Sequence, residues 1–254
     1  MRAVERQSVI RGMLESKGFV TYAQIAKKVK VSEATARRDA YELCRLGDAI
    51  RARGGVRSLS APAPPSHPTF TERATVMAKE KDRIGRAAAA LVKDGHTIIM
   101  DGGTTTHTLA PYIARRDIDL ITNSITVADY LCDASSIEVI MTGGYLYRPS
   151  KVLLGPPAVR MLRQVAADVT FVSTGGVTLD GVGHSNSLIV ETEKQMIARG
   201  ARVVLLLDHS KFSSGSVLKV CAWSHITDVV TDRPVPEQFA EFFRKHDISV
   251  VIAK

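Results

Sequence analysis

The chain has 254 residues, 45% hydrophobic and 24% charged, with a formal net charge of +8. That length accommodates one or two ordinary domains, and the composition excludes a disordered chain. No uninterrupted apolar stretch reaches the roughly 18–20 residues of a bilayer crossing. No apolar core follows Met1-Arg2-Ala3-Val4-Glu5-Arg6, so a cytoplasmic location is expected.

Charge is unevenly placed. Residues 1–57 carry 13 Lys+Arg against 6 Asp+Glu, a net +7, whereas the other 197 carry 21 against 20. A small basic head on a near-neutral body is the electrostatic footprint of a nucleic-acid binder controlled by a second domain. Cys44, Cys132 and Cys221 lie nearly 90 residues apart with no partner at metal-ligand spacing. They are expected to be reduced and mostly buried, and no metal or cofactor is expected.

In chain order, Val4 to Ser16 places Ile10, Met13 and Leu14 on one helical face, and Lys17-Gly18 ends that helix. Thr21 caps a short second helix with Ile25 and Val29 inward. Ser32 caps a third helix that runs to Leu46 and stops at Gly47. Wound at about 100° per residue, that helix turns Ala36, Ala40 and Leu43 to the core. Ala34, Thr35, Arg38, Tyr41 and Arg45 face outward. Small residues near its start and arginines outside let such a helix enter a major groove while the preceding helix crosses the backbone. Residues 49–57 alternate arginines with small or apolar residues around Gly54-Gly55, the pattern of a hairpin wing with cations on phosphate. The candidate DNA contacts are Thr21, Ser32, Glu33, Thr35, Arg37, Arg38, Arg51 and Arg53, with Arg38 best directed. Residues 58–70 hold four prolines within Pro62–Pro68 and read as a semi-rigid linker.

From residue 71 to 254, helical stretches alternate with β-branched runs at Thr97–Met100, Leu120–Thr122, Val139–Met141, Val169–Ser173, Val203–Leu207, Val229–Thr231 and Val250–Ile252. That alternation predicts an α/β domain with a mostly parallel sheet covered on both faces. Ligands of such sheets bind at the carboxyl ends of the strands. Four of those ends are chemically unusual: Asp101-Gly102-Gly103-Thr104-Thr105-Thr106, Thr122-Asn123-Ser124, Thr142-Gly143-Gly144 and Asp208-His209-Ser210-Lys211-Phe212. Glycines with hydroxyls and free N–H groups at a strand–helix turn suit an anion such as a sugar phosphate, and Lys211 suits it as a point charge.

Two sets of motifs carry a family resemblance. In the head they are Val31-Ser32, Thr35-Ala36-Arg37-Arg38-Asp39 and Arg53-Gly54-Gly55. In the body they are Ile84-Gly85, Asp101 to Thr105, Thr122-Asn123-Ser124, Thr142-Gly143-Gly144, Glu191 to Ile197 and Asp208 to Phe212. With these the chain resembles the DeoR-type bacterial transcriptional regulators over nearly its whole length outside the linker. The resemblance implies a winged helix-turn-helix head and a sensor similar in fold to ribose-phosphate isomerases and coenzyme A transferases. It implies a repressor of a carbohydrate catabolism operon, binding double-stranded operator DNA as a homo-oligomer (dimer or tetramer) and controlled by a phosphorylated sugar or related intermediate. It assigns phosphate to Gly103, Thr104 and Thr105, with Asp101, Asn123, Gly144, Glu191 and Lys211 around the rest; Gly102 and Gly143 belong to the same loops. Members usually carry Ile and Leu where Ala36 and Ala40 stand, which thins the packing. They often carry Gly-Leu-Thr where this chain reads Gly183-His184-Ser185-Asn186, which points to His184 as a reader of an unusual hydroxyl or acid group.

Two other classes compete. The isomerases that the sensor resembles carry an acidic pair in the loop after the fourth apolar run; Ser173-Thr174-Gly175-Gly176-Val177 has none, and an enzyme would have to use Asp180, His184 and Glu191 further on as a substitute constellation. An architectural DNA binder would have no need of a glycine–threonine anion nest.

Overall fold

The computed structural model describes residues 3–17, 19–52, 54–58, 68–213 and 218–254. The chain forms two compact units, Met1–His67 and Pro68–Lys254. The expected helix stop at Gly18, the wing arginine Arg53 and linker residues 59–67 lie outside the described residues.

The first unit contains α1 (Ala3–Lys17), β1 (Phe19–Thr21), α2 (Tyr22–Val29), α3 (Glu33–Arg45), β2 (Ala49–Ala52) and β3 (Gly55–Ser58). Thr21 starts α2 with a reciprocal cap: its hydroxyl accepts the Gln24 N–H at 3.2 Å, and the Gln24 side chain accepts the Thr21 N–H at 3.0 Å. Lys30 ends α2 in the left-handed conformation, and Ser32 Oγ then accepts the Thr35 N–H at 3.2 Å to open α3. Ile10, Leu14, Ile25, Val29, Ala36, Ala40 and Leu43 form the core, as their spacing requires. Antiparallel strands in the order β1-β3-β2 make the wing. Three residues are too few to show a period, so β1 left no trace in the hydrophobic pattern; Val20 buries into the core and Phe19–Thr21 pair with β3.

The second unit opens with α4 (Phe70–Thr75) and α5 (Ala78–Ala89). Thr69 and Glu72 form a second capping box, and the Phe70 N–H donates to the Pro149 carbonyl at 2.6 Å. Residues 68–70, expected in the linker, are thus built into this unit. The strands that follow are β4 (Thr97–Met100), β5 (Ile118–Thr122), β6 (Ile137–Met141), β7 (Tyr145–Tyr147), β8 (Val152–Leu154), β9 (Ala167–Ser173), β10 (Gly176–Thr178), β11 (Gly181–His184), β12 (Gly200–Leu206), β13 (Leu218–Cys221), β14 (Asp228–Thr231) and β15 (Ser249–Ile252). Seven of them make one parallel sheet in the order β15-β14-β12-β9-β4-β5-β6, and these are the seven expected runs.

Strand residues alternate between two apolar clusters. Ile98, Met100, Leu120, Phe171, Val204 and Leu206 enter one; Val172, Val203, Leu205 and Val229 enter the other. Both faces of the inner strands are therefore covered, which is why their runs read as largely apolar, while the edge strands β6 and β15 are more exposed. From β4 the chain builds outward through β5 to β6, then returns to place β9 on the other side of β4. The carboxyl ends of β4 and β9 consequently flank a topological switch point, where open α/β sheets carry ligands. The antiparallel pieces β7–β8 and β10-β11-β13 escaped the sequence pattern because they are short and contain Gly176, Gly181 and Gly183.

Gly85 sits inside α5, where a Cβ would lie 2.4 Å from the Thr108 carbonyl oxygen. In an open helix Gly→Ala gains about 1 kcal/mol. Here overpacking reverses the sign, and Gly85→Ala is expected to cost about 1–3 kcal/mol. The sole tryptophan, Trp223, is buried in the same unit and reports unfolding, so a urea titration read by its fluorescence checks this. A midpoint at or above wild type would refute the close-packing account.

Candidate functional site

On the head, Ser32, Glu33, Arg37 and Arg38 are exposed at the start of α3, and Arg51 is exposed on the wing. Arg38 makes no hydrogen bond or ion pair to another described residue. Arg37 is engaged: its Nε donates to the Tyr41 hydroxyl at 2.9 Å, as does Arg51 Nη2. The Thr21 hydroxyl is occupied by its cap, and the Ser32 and Thr35 hydroxyls bond each other at 2.9 Å. These three position the helix starts rather than projecting freely. Asp39 faces inward, 7% exposed, and accepts from Arg6 Nε at 2.6 Å and Arg6 Nη2 at 2.9 Å. That fork fixes the rotation of α3 against α1.

In the second unit the central group is Asp101, 3% exposed at the end of β4. Oδ1 accepts the Gly103 N–H at 3.1 Å and the Thr106 hydroxyl; Oδ2 accepts the Ser173 N–H at 2.9 Å and its hydroxyl at 3.1 Å. Both oxygens are thus spent on the protein, and Asp101 shapes the loop instead of offering itself to a ligand. Burial pushes its pKa up, against the pull of these hydrogen bonds. The glycines have a similar explanation. A Cβ on Gly103 would lie 1.7 Å from Ser173 Oγ, and one on Gly102 2.0 Å from Val152 Cγ1. Internal packing therefore already requires glycine at both positions. Gly144, at φ +117°, would meet the Leu154 carbonyl oxygen at 2.5 Å, whereas Gly143, at φ +67°, faces open space.

What this scaffold presents are the Thr104 and Thr105 hydroxyls, which make no hydrogen bond to a described residue. Asn123 donates to the Leu153 carbonyl at 3.2 Å, while its buried Oδ1 has no partner. Lys211 is half-buried on the turn after β12, beside Asp208. Near them the structure places a cation that the sequence reading missed. Lys81 is 4% exposed on α5; its Nζ donates to the Arg73 carbonyl at 2.6 Å. Burial brings its pKa down to about 8; Lys211 and Arg73 add to the fall, while Asp208 opposes it. The signal was available, since Lys81 shares the buried stripe of Ile84, Gly85 and Ala88.

Glu191 requires a correction. It lies on the solvent face of the Ser187–Ile197 helix, paired with Lys194 at 3.2 Å. The inward acid is Glu193, 6% exposed on the stripe of Ile189, Val190, Met196 and Ile197. Burial first, and then the charge of Asp101, hold its pKa well above the carboxylate range. His184 Nδ1 accepts the Ser185 and Asn186 N–H groups at 2.9 and 3.2 Å, so that nitrogen closes its own turn. Of the cysteines only Cys221 is buried; Cys44 is intermediate and Cys132 exposed, contrary to expectation.

Two family models match the chain: a DeoR-like helix-turn-helix domain at residues 6–61 and a DeoR C terminal sensor domain at residues 76–233. The chain is 31% identical to the uncharacterized HTH-type transcriptional regulator YgbI of Escherichia coli (strain K12), over 100% of this chain and 99% of that protein. It is 30% identical to the HTH-type transcriptional repressor GlcR of Bacillus subtilis (strain 168), over 98% and 96%. The glycerol-3-phosphate regulon repressor of E. coli (strain K12) is 26% identical over 98% and 99%. Among solved structures, ribose 5-phosphate isomerase A from Methanocaldococcus jannaschii aligns over 54% of this chain and 55% of that one, with 16% identity and a TM-score of 0.40.

The buried Glu193 fixes a pH response. A carboxyl whose folded pKa is raised contributes stability fully present below its unfolded value and lost as pH rises through the folded one. Glu193→Gln removes that loss. Comparing urea midpoints from about pH 4 to about pH 8, wild type should fall relative to the variant as pH rises. A constant gap would place Glu193 in contact with water.

Proposed function

Because the chain belongs to the DeoR family of transcriptional regulators, we propose that it represses a carbohydrate catabolism operon and that a phosphorylated sugar or related intermediate controls its grip on the operator. The head binds duplex DNA with α3 in the major groove and the wing on the backbone. Arg38 reads a base edge, since it is exposed and unpaired among the described residues. A symmetric dimer or tetramer presents two heads to an operator of matching symmetry.

The observation that carries the sensor reading is the ordered loop at the β4–β9 switch point. Asp101 holds it through Gly103 and Ser173 and acts on the cation Arg73, and the buried Thr104 and Thr105 hydroxyls of that loop make no hydrogen bond to a described residue. Lys211, Arg73 and Asp208 all act on Lys81, and Asp101 acts on Arg73, so three cations share this region with two carboxylates and an entering phosphate would be favoured. The name of the glycerol-3-phosphate regulon repressor supports a phosphorylated metabolite as effector. Coupling of roughly 1–3 kcal/mol between effector and operator suffices for control.

The direct experiment is a gel shift on the DNA upstream of the chain's own gene, with and without a panel of sugar phosphates. One of them should change the apparent affinity by about fivefold or more; no response to any would reject the sensor reading. Arg38→Ala should cost about 1–3 kcal/mol of operator discrimination and leave generic duplex affinity less affected. Unchanged discrimination would remove Arg38 from base reading. Thr104→Val with Thr105→Val preserves shape and deletes two hydroxyls. The pair should retain operator binding and lose most of the effector response in the same gel shift; a full response would clear those hydroxyls of any role.

A further inference from the structure

We propose that Arg37, Tyr41 and Arg51 form a single built site for a phosphodiester of the DNA backbone, with Tyr41 as the positioning residue that joins recognition helix to wing. The inference rests on the DNA-binding reading above and adds a residue to it. Tyr41 Oη accepts Arg37 Nε from within α3 at 2.9 Å and Arg51 Nη2 from β2 at 2.9 Å. The phenol oxygen has two acceptor positions, and both are filled by guanidinium groups from different elements.

The rings hold this arrangement from beneath. Arg51 Cζ lies 4.3 Å from the Tyr41 ring centroid, and Arg37 Cζ lies 5.4 Å from that of Tyr22 and 5.6 Å from that of Tyr41. Tyr22, 7% exposed, meets Tyr41 edge-on at 6.2 Å and ties the assembly to the core. Charge is left unbalanced. The other acids of α3 are committed, Asp39 to Arg6 and Glu42 to Arg45, and only exposed Glu33 acts on Arg37 from a distance. Two full positive charges therefore share one neutral oxygen, and neither has a carboxylate in contact.

A planar guanidinium has five N–H donors. Each spends one on Tyr41, leaving four on each arginine to grip an anion by the fork geometry that suits phosphate. Separate surface arginines would lose rotamer freedom on binding; these two are ordered before DNA arrives. The geometry also divides labour on α3. Arg37 belongs to the backbone site, while its neighbour Arg38 is left for base edges.

The test uses the full chain and a labelled duplex of arbitrary sequence, since a phosphate contact needs no operator. Anisotropy titrations over a range of salt give affinity and the slope of log K against log salt. Tyr41→Phe keeps the ring and deletes the shared acceptor. It should weaken binding about three- to tenfold and lower the slope by about one. Arg51→Gln, an exposed change with no core contact, should do the same, and adding Tyr41→Phe to it should cost less than Tyr41→Phe costs alone, because only Arg37 is then left for Tyr41 to position. The proposal is overturned if Tyr41→Phe leaves affinity and slope at wild-type values, or if its effect is undiminished in the Arg51→Gln background. A wild-type chain that ignores the duplex would instead overturn the DNA-binding reading itself, and this proposal with it.

Discussion

A buried carboxylate at the end of one strand sets the geometry of the whole sensor edge. Asp101 takes donors from its own loop, Gly103 and Thr106, and from the neighbouring strand end, Ser173. It therefore bridges β4 and β9 at the place where the strand order reverses. An isolated buried carboxylate would be untenable, but one that accepts from two N–H groups and two hydroxyls is compensated. The bridge has a steric counterpart. Ser173 comes so close to Gly103 that any side chain there would collide with it, so the donor and the glycine must be present together.

Much of this was legible in the amino-acid order, and the limits have physical causes. The seven parallel strands announced themselves because the inner ones are buried on both faces and the runs are mostly apolar and β-branched. The head was legible because caps, core stripe and cationic face agree over a few dozen residues. Less visible were features that depend on which side of a helix a residue occupies. Glu191 and Glu193 are equally acidic on paper; only the stripe of Ile189, Val190 and Met196 turns the second inward. Lys81 was overlooked for the same reason. The packing that demands glycine at 102 and 103 lies in Val152 and Ser173, roughly 50 and 70 positions away. No local pattern carries that information.

The two units also solve their electrostatic problems differently. The head keeps exposed cations close together on aromatic supports, with few acids to quench them. The sensor encloses its charges, and burial shifts the proton equilibria of Asp101, Glu193 and Lys81. Water screens the first set and hardly reaches the second. Added salt should therefore act on the head's outward interactions far more than on the interior of the sensor.

The fork between Arg6 and Asp39 ties α1 to the middle of α3. The rotation of α3 is consequently held by a partner 33 positions earlier in the chain. A change confined to α1 therefore reaches the direction in which the exposed side chains of α3 point.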